Sequence, residues 1–326
     1  MIITRSPLRI SIGGGGTDLP SYYRRNGGFL IAMAITKYVY VSIHQRFAKG
    51  YLLKYSQIEQ GEDIREIRHP IIREALQLMN LGDSDIEITS LADVPAGTGL
   101  GSSSSFTTAL IKAIGAYQRR HMDAHLVAEL ACEIELGRLR EPIGKQDQYA
   151  ASFGGLTAYS FNPDDSVDVK ALALPSDTYD YLEANTVMFF TGVTRSAGEI
   201  LKQQDDQSKA MDADMIANLD RVRELGFRTR DMFLKGDLGG WGEIMLEHWQ
   251  AKKRRSNAMS NPQIDEWYDL AMRNGAIGGK LVGAGGGGFL LFYAEDPNRL
   301  RHAMSQAGLK PLHLRMDVEG TKVLTQ

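Results

Sequence analysis

Three glycine-rich segments, residues 13–20, 95–105 and 283–288, contain the residue types best suited to bind an anion. Glycine adopts positive φ without strain and lets backbone amides approach a ligand closely. Consecutive amides in such a turn form a concave anion site. The middle segment, PAGTGLGSSSS, follows a predicted strand and runs into a predicted helix, whose first amides are unpaired and favour phosphate. Its pattern therefore predicts a phosphate-binding turn rather than a Gly/Ser linker.

The segment from residue 132 to residue 155 carries carboxylates that are suited to work beside such a turn. Glu133 and Glu135 lie on a predicted helix before a Pro-Ile-Gly break, and Asp147 begins another predicted helix. Near a bound phosphate, a carboxylate serves as a Mg²⁺ ligand or handles the proton of a substrate hydroxyl. Most acidic residues on helices are simply solvated, so these residues indicate catalysis only together with the glycine segments.

Other nucleotide- and metal-binding patterns are absent or incomplete in this sequence. A P-loop needs Ser or Thr after its Gly-Lys pair, whereas Lys145 and Lys280 are followed by Gln and Leu. The H-R-D and D-F-G triplets of protein kinases do not occur. No strand–GxGxxG–helix unit is followed by an acidic residue at the distance that a dinucleotide-binding fold requires. His121 and His125 lack the glutamate of an H-E-x-x-H zinc motif.

Composition and charge set broad limits on the class of protein. The 326 residues are enough for about two domains. The 37 basic and 40 acidic residues give a net charge of −3, without the positive excess that nucleic-acid binding favours. The clearest apolar run, residues 29–35, is shorter than the roughly 18 residues of a spanning helix, and the first residues lack the layout of a secretory signal. We therefore expect a cytoplasmic protein that binds neither nucleic acid nor membrane.

The elements that must position these residues follow from hydrophobic periodicity. Strands are predicted at 7–13, 38–44, 85–91, 154–161, 167–174, 186–192 and 311–317. Helices are predicted at 71–79, 106–119, 123–140 and 296–307, and the region 197–274 is predicted to be mainly helical. A polar segment at 175–186 suggests a boundary between domains 1–185 and 186–326. The only cysteine, Cys132, is predicted to be a buried core thiol, and Trp241, Trp249 and Trp267 to be core residues of the helical region.

Together these segments resemble the GHMP kinases, the family of galactokinase, homoserine, mevalonate and phosphomevalonate kinases. SPLRISIGGGGTDLP resembles the N-terminal motif of that family, and KLVGAGGGGFLL resembles its C-terminal glycine motif. VPAGTGLGSSSSF is similar to the ATP loop P-x-x-x-G-L-[GS]-S-S-[AS]. The resemblance covers the whole chain. It implies a two-domain α+β architecture, with a ribosomal-S5-like N-terminal domain, a ferredoxin-like C-terminal domain, and ATP and substrate meeting between them.

The resemblance also implies a role for each matching residue. Asp147 matches the catalytic aspartate of galactokinases, and Arg9 matches the arginine that pairs with it. Ser103 and Glu135 match the Mg²⁺ ligands, which leaves Glu133 as the less favoured carboxylate. The residues implied to bind ATP are Gly97, Gly99, Leu100, Gly101, Ser102, Ser103 and Ser104. The residues implied to contact the acceptor are Thr17, Asp18, Arg195, Gly285 and Gly286.

The identity of the acceptor depends on where the chain departs from the galactokinases. Those enzymes read G-E-H-T-D where this chain reads G-G-G-T-D at residues 14–18, and the missing Glu and His contact the sugar. Segments 13–23, 189–201 and 275–289 instead resemble the heptose 7-phosphate kinase branch, with fucokinase domains nearby. This branch implies phosphorylation of the anomeric hydroxyl of D-glycero-D-manno-heptose 7-phosphate for nucleotide-activated heptose synthesis. A kinase for another sugar such as fucose, and a non-catalytic sensor of sugar and ATP, are the alternatives.

An acceptor that already carries a phosphate needs a second anion site. Arg195 is the preferred ligand, because arginine binds phosphate through two parallel hydrogen bonds. The other candidate is the basic segment AKKRRS at residues 251–256. At least two of its four basic residues are expected to lie on a solvated helix face.

Overall fold

The computed structural model describes residues 1–194, 198–255, 259–283 and 285–326. In these ranges the strands are β1 (Ile2–Gly13), β2 (Gly28–Gln45), β3 (Tyr51–Lys54), β4 (Ile58–Gly61), β5 (Ile86–Ala92), β6 (Leu156–Phe161), β7 (Val167–Ala171), β8 (Thr186–Phe190), β9 (Ala276–Leu281), β10 (Phe289–Ala294), β11 (Lys310–His313) and β12 (Lys322–Thr325). The α-helices are α1 (Pro20–Asn26), α2 (Pro70–Leu78), α3 (Ser102–Tyr117), α4 (Ala124–Cys132), α5 (Gln146–Phe153), α6 (Ser176–Asn185), α7 (Gly198–Lys209), α8 (Ala213–Lys235), α9 (Leu238–Lys253), α10 (Pro262–Arg273) and α11 (Pro297–Gln306). A 3₁₀ turn spans Ile64–Glu66, and a π-helix spans Glu133–Arg138.

The larger sheet is organised around the long strand β2. Among the described residues it has eight strands, in the order β12-β1-β2-β5-β3-β4, with β6 pairing with β2 and β7 pairing with β6. The 18 residues of β2 pair with most of β1 and, over separate halves, with β6 and β5. Many of these residues are β-branched or aromatic, which favours a strand. The antiparallel pairing holds the glycine turn after β1 close to the start of β2.

The smaller sheet and the helices of the second half form a separate layer. In the part of the chain that the structure describes, this sheet has the strand order β11-β8-β10-β9, and all its pairs are antiparallel. Helices α9, α10 and α11 pack against it and bury Phe189, Phe292 and Leu290 beneath Trp249. Helix α8 contacts β1, β2 and α9, and it thereby joins the two layers.

The chain does not divide into two halves by sequence alone. The predicted boundary between residues 185 and 186 falls between α6 and β8, where the chain passes from the larger sheet to the smaller one. The polar segment around this boundary forms α6. Strand β12, however, pairs with β1, so the last residues return to the larger sheet. The exact domain limits of 1–185 and 186–326 therefore stay a prediction.

Two predicted helices differ from the observed ones at positions that matter for the site. Helix α3 begins at Ser102 rather than at Phe106, because Gly101 adopts a left-handed conformation and the four serines form the first turn. The helix predicted over 123–140 is α-helical only to Cys132 and continues as a π-helix from Glu133. Short π-helical turns often occur at functional sites.

The predicted core residues are largely buried. Trp241 and Trp249 are fully enclosed, whereas Trp267 is half-buried against the smaller sheet. Cys132 is buried and unpaired, as predicted, and burial raises the pKa of its thiol well above the ordinary value. Within the described ranges, no helix combines the length and the apolar character that crossing a membrane requires.

Candidate active site

An arginine–aspartate pair joins β1 to the first turn of α5. Arg9 Nε donates to Asp147 Oδ1 and Arg9 Nη2 donates to Asp147 Oδ2, both at 2.7 Å, which is the bidentate geometry of a strong charge-assisted pair. Arg9 Nη1 donates to the carbonyl oxygen of Gly99 at 2.7 Å. The arginine side chain is 8% exposed and the aspartate 27% exposed. The guanidinium is thus fixed on three sides, while the carboxylate keeps a face open to the cavity beside it.

The phosphate turn predicted from the sequence has the backbone that such a turn needs. Gly97, Gly99 and Gly101 all have positive φ, at 76°, 81° and 78°. Gly101 precedes the first residue of α3, so the unpaired amides of the following serines open into the cavity. Leu100 is fully buried, and its carbonyl accepts from the Arg9 amide at 3.0 Å. Leu100 therefore anchors the turn to β1, and the glycines and serines around it face the cavity.

Glu135 is the most enclosed carboxylate of the site, at 1% exposure. It accepts four side-chain hydrogen bonds: from Ser103 at 3.0 Å, Ser104 at 2.8 Å, Thr107 at 3.0 Å and Gln148 at 2.6 Å. Burial raises the pKa of Glu135, although the four donors oppose that rise. The sequence analysis missed Thr107 and Gln148. The only sequence signals for them are that Thr107 lies four residues after Ser103 on α3, and that Gln148 directly follows Asp147.

The π-helix separates the two glutamates that the sequence left as alternatives. Glu135 points inward to the start of α3, whereas the side chain of Glu133 is 52% exposed and lies 3.5 Å from Arg138. Glu133 is therefore solvated, and Glu135 is the carboxylate that the structure brings to the cavity.

Asp18 is a second buried carboxylate next to Asp147. Its Oδ1 accepts from the Gly16 amide at 3.2 Å, and its Oδ2 accepts from the Gln146 amide at 3.1 Å. Burial raises the pKa of Asp18, and the charge of Asp147 raises it further. A Cβ on Gly144 would lie 1.9 Å from Asp18 Oδ2, so only glycine fits there. Asp18 is held rigidly in the cavity wall, within the electrostatic reach of Asp147.

Two other residues predicted to contact the acceptor, Thr17 and Gly286, do not line the cavity. Thr17 is fully buried, and its hydroxyl bonds to the backbone of Gly14 and Phe29 at 2.9 Å, so it supports the turn and does not line the cavity. The Gly286 amide donates to the Met259 carbonyl at 3.1 Å, and Gly286 does not line the cavity, whereas Gly285 does. Arg195 lies outside the described residues.

The C-terminal glycine segment packs directly against the phosphate turn. A Cβ on Gly283 would lie 2.4 Å from Gly99 Cα, and a Cβ on Gly99 would lie 2.8 Å from the carbonyl oxygen of Val282. These approaches leave no room for side chains, so the two segments meet backbone to backbone. One continuous wall thus joins residues nearly 200 positions apart in the sequence.

The two aspartates, Glu135 and the glycine turns face one cavity of about 410 Å³ between the two layers. Its volume is in the range of small-ligand sites. Arg9, Asp18, Glu135 and Asp147 line it together with the glycine turns and the first serines of α3. It offers hydrogen-bond donors for an anion, a carboxylate for a hydroxyl group, and oxygen ligands for a cation. Four basic side chains from α9, β9 and the residues after α9 also reach it, of which the sequence pointed to only two.

Comparisons with known proteins agree with this arrangement. The GHMP kinase N-terminal domain model matches residues 70–155, and the GHMP kinase C-terminal model matches residues 229–310. The chain is 30% identical, over 91% of its length and 90% of the relative's, to the D-glycero-alpha-D-manno-heptose 7-phosphate kinase of Campylobacter jejuni. It is 26% identical to the L-fucokinase/L-fucose-1-P guanylyltransferase of Bacteroides fragilis, over 94% of this chain and 36% of that protein.

A solved structure shows the same fold along the whole chain. It is that of a D-glycero-D-manno-heptose 1-phosphate kinase from Bacteroides thetaiotaomicron, with a TM-score of 0.81 and 24% identity over 100% of this chain and 99% of that one. This similarity confirms the predicted two-domain α+β architecture. Both family models match in order on either side of the cavity, and a relative matches along nearly its full length. The chain therefore belongs to the GHMP kinases.

Proposed function

We propose that this protein transfers the γ-phosphoryl group of ATP to the anomeric hydroxyl of D-glycero-D-manno-heptose 7-phosphate. The product, the 1,7-bisphosphate, would supply the synthesis of nucleotide-activated heptose. Membership of the GHMP kinases supports the coarser class, an ATP-dependent sugar kinase. The acceptor is supported by the nearly full-length similarity to the C. jejuni enzyme. The fucokinase relative matches with lower identity and over only 36% of its length, so fucose has less support.

The observation that carries the kinase proposal is that the Arg9–Asp147 pair opens into the same cavity as the phosphate turn. A carboxylate held by a bidentate arginine has a fixed direction, so it can align an acceptor hydroxyl and accept its proton. Asp18 lies beside it and offers a second acceptor for the hydroxyls of a sugar. The pair would thus place the attacking oxygen next to the nucleotide.

The rest of the chemistry is positioning and electrostatics. Phosphoryl transfer passes through a loose transition state, so the protein mainly has to hold the reactants and stabilise charge. The amides of the turn and of the first serines of α3 would bind the phosphates of ATP. Arg9 also holds the Gly99 carbonyl, so one side chain fixes the phosphate turn and the proton acceptor relative to each other.

The residues around Glu135 fit a Mg²⁺ ion. Mg²⁺ prefers oxygen ligands and is usually held by one or two carboxylates together with substrate phosphates. Ser103 donates its proton to Glu135 and so keeps lone pairs directed away from it. In the described part of the chain, no three His, Cys, Asp or Glu side chains cluster as a metal site of their own. The ion would therefore be held by Ser103, Glu135 and the nucleotide, and when bound it neutralises charge on the phosphates.

The Glu135→Gln variant is expected to need a roughly 10- to 100-fold higher Mg²⁺ concentration for half-maximal activity, because a neutral amide is a poorer ligand. The substitution keeps the shape of the side chain. Gln148 Oε1 has no partner within the described ranges, so the Gln148 amide can turn over and accept from the new NH₂ group. The fold should therefore persist. A Mg²⁺ titration at saturating ATP, together with the melting temperature, measures both effects.

Glu133→Gln is the matched control for this variant. It makes the same chemical change on the same π-helix, but at an exposed carboxylate. Its Mg²⁺ requirement should equal that of the wild type. An unchanged Mg²⁺ requirement in Glu135→Gln would remove Glu135 from the proposed metal site.

The acceptor itself is tested by an ADP-release assay with heptose 7-phosphate, heptose, mannose, fucose, galactose and mevalonate. We expect turnover with heptose 7-phosphate and a product with a new anomeric phosphate in its ³¹P spectrum. Turnover confined to an unphosphorylated acceptor would contradict the proposed substrate and leave the kinase class standing. Binding of sugar and ATP without any turnover would instead favour the sensor.

A further inference from the structure

Four basic side chains, His248, Lys252, Arg255 and Lys280, line the cavity that contains Asp147. Each of them is more than nine-tenths buried. Lysine and arginine are almost never buried to this extent unless a negative group accompanies them. The neighbouring Lys253 and Arg254 are exposed, as expected for two of the four basic residues of this segment. The buried set therefore needs its own explanation.

Among the described residues, the hydrogen-bond partners of the three cations, Lys252, Arg255 and Lys280, are neutral. The acceptors of their hydrogen bonds are, for Lys280, the Ile12 carbonyl at 2.9 Å; for Lys252, the carbonyls of Leu281 at 2.9 Å and of Gly283; and for Arg255, Asn218 Oδ1 at 2.9 Å and the Gly15 carbonyl at 3.2 Å. Among the residues that the structure describes, no carboxylate lies at ion-pair distance from any of the three. Burial and mutual repulsion lower the pKa of Lys280 to about 7, and burial lowers the pKa of Arg255 to about 10. In their protonated forms these three side chains therefore have no carboxylate at ion-pair distance among the described residues, and an anion in the cavity would favour those forms.

His248 gives an independent sign that a ligand belongs here. The side chain is 3% exposed, yet neither ring nitrogen has a hydrogen-bond partner among the residues that the structure describes. Burial, together with the charges of Lys280, Arg255 and Lys252, lowers the pKa of His248 well below its ordinary value. A neutral imidazole still carries one N–H donor, and buried polar groups in native proteins are nearly always satisfied. An anion in the cavity would satisfy this donor and compensate the cations at the same time.

We propose that Lys252, Arg255, Lys280 and His248 bind the phosphate group that the sugar acceptor already carries. This inference rests on the proposed function, which supplies a phosphorylated acceptor. Arginine and lysine form the strong charge-assisted hydrogen bonds that a phosphate dianion requires. These four residues form the site that the structure offers for the acceptor phosphate. They are additional to Arg195, which the sequence predicted as a ligand of that phosphate.

The position of the cluster favours the acceptor over the nucleotide as the source of the phosphate. Arg255 bonds to the Gly15 carbonyl, and the adjacent Gly16 amide bonds to Asp18, so the cations adjoin the side of the cavity proposed for the sugar. The charge of Asp18 acts on Arg255 directly. Lys252 also touches Gly283, which packs on the phosphate turn, so binding of nucleotide phosphates is the alternative that the test must distinguish.

The test compares Lys280→Met and Arg255→Gln with the wild type for binding of heptose 7-phosphate, heptose and ADP by calorimetry. We expect each variant to weaken the binding of heptose 7-phosphate by about tenfold or more, because a charge-assisted hydrogen bond is lost. Binding of heptose and ADP should be unchanged. If the binding of both sugars is weakened equally, the proposal is overturned. If only the binding of ADP is weakened, the proposal is also overturned, and the cluster is assigned to the nucleotide.

Lys253→Met and Arg254→Gln are the matched controls, because they remove exposed charges from the same stretch of chain. Both should bind heptose 7-phosphate as the wild type does. If these exposed variants lose as much affinity for heptose 7-phosphate as the buried variants do, the loss reflects the overall charge of the protein, and the assignment of the buried cluster is wrong.

His248→Leu tests the site without removing a side-chain hydrogen bond, because the His248 ring has no partner in the described part of the chain. The melting temperature of the ligand-free protein should not fall. Inorganic phosphate should raise the melting temperature of the wild type and raise that of His248→Leu less. An identical phosphate effect in both proteins would exclude His248 from the anion site.

The proposed acceptor and the proposed phosphate site can fail separately. If the wild type uses a different sugar phosphate, the proposed acceptor is wrong. The Lys280 and Arg255 variants should still bind that sugar phosphate more weakly, without a change in the binding of the unphosphorylated sugar. If the wild type uses heptose 7-phosphate and both variants bind it normally, the acceptor stands and the cluster is not its phosphate site.

Discussion

The Asp147→Asn variant is expected to lose kcat by roughly 10²- to 10⁴-fold while it binds nucleotide as the wild type does. Asparagine has nearly the same shape, but it cannot accept the proton of the acceptor hydroxyl. Its NH₂ group would also face an N–H donor of Arg9, which now donates to both carboxylate oxygens at 2.7 Å. Steady-state kinetics with saturating acceptor, and calorimetry with ADP, measure the two quantities separately.

Asp177→Asn is the matched control for Asp147→Asn. Asp177 lies in the first turn of α6, as Asp147 lies in the first turn of α5, so the two substitutions remove the same favourable charge from a helix N-terminus. Asp177 is exposed and lies outside the cavity lining. Asp177→Asn should therefore keep full activity. A kcat within a few-fold of wild type for Asp147→Asn would exclude Asp147 as the proton acceptor.

A loss of ADP affinity in Asp147→Asn would have a different meaning. Arg9 also donates to the Gly99 carbonyl, so a shift of its guanidinium would disturb the phosphate turn. In that case the fall in activity would combine two effects. Arg9→Lys shows how much the disturbed phosphate turn contributes, because it leaves the Asp147 carboxylate in place. Lysine keeps the charge but cannot contact Asp147 and Gly99 with the same fixed geometry.

The parts of the site that the sequence predicted are those with local causes. The phosphate turn was predictable because alternate glycines and a following run of serines form a turn and a helix start by their own conformational preferences. The Arg9–Asp147 pair joins residues 138 positions apart, and only the resemblance to a known family connected them. Local pattern alone places Asp147 at a helix start and Arg9 in a strand, without bringing them together.

The parts that the sequence did not predict depend on tertiary contacts. The π-helix at Glu133–Arg138 has the residue pattern of an ordinary helix, and its register follows from the packing of Glu135 against the first turn of α3. Lys280 looks like an exposed lysine near a glycine segment, yet β9 carries it into the cavity. Thr17 looks like a ligand beside Asp18, yet backbone groups of the neighbouring strand occupy its hydroxyl.

The contact between the two glycine segments is another tertiary feature with a functional consequence. Gly283 follows β9, and Gly99 lies in the phosphate turn before α3, so the smaller sheet directly supports the turn that would hold ATP. Neither segment shows by its sequence that its partner is the other. A side chain at this contact is expected to displace the turn rather than merely strain one residue.

Gly283→Ala is expected to raise the KM for ATP by roughly 10- to 100-fold, because small displacements of positioning groups can cost up to about 10²-fold. The new Cβ would lie 2.4 Å from Gly99 Cα, and backbone cannot move aside as a flexible side chain can. The φ of Gly283 is 84°, so alanine also adds left-handed strain of about 1 kcal/mol. Initial rates over a range of ATP concentrations, with the melting temperature, measure both consequences.

Gly308→Ala separates the strain from the clash. Gly308 has nearly the same φ, 86°, but a Cβ there would meet no atom within 4 Å. It should lose a similar small amount of stability and keep the wild-type KM for ATP. The difference between the two variants then measures the contact between the glycine segments alone. If Gly283→Ala also keeps the wild-type KM, the phosphate turn holds its shape without support from the smaller sheet, and its geometry depends on Arg9 and α3.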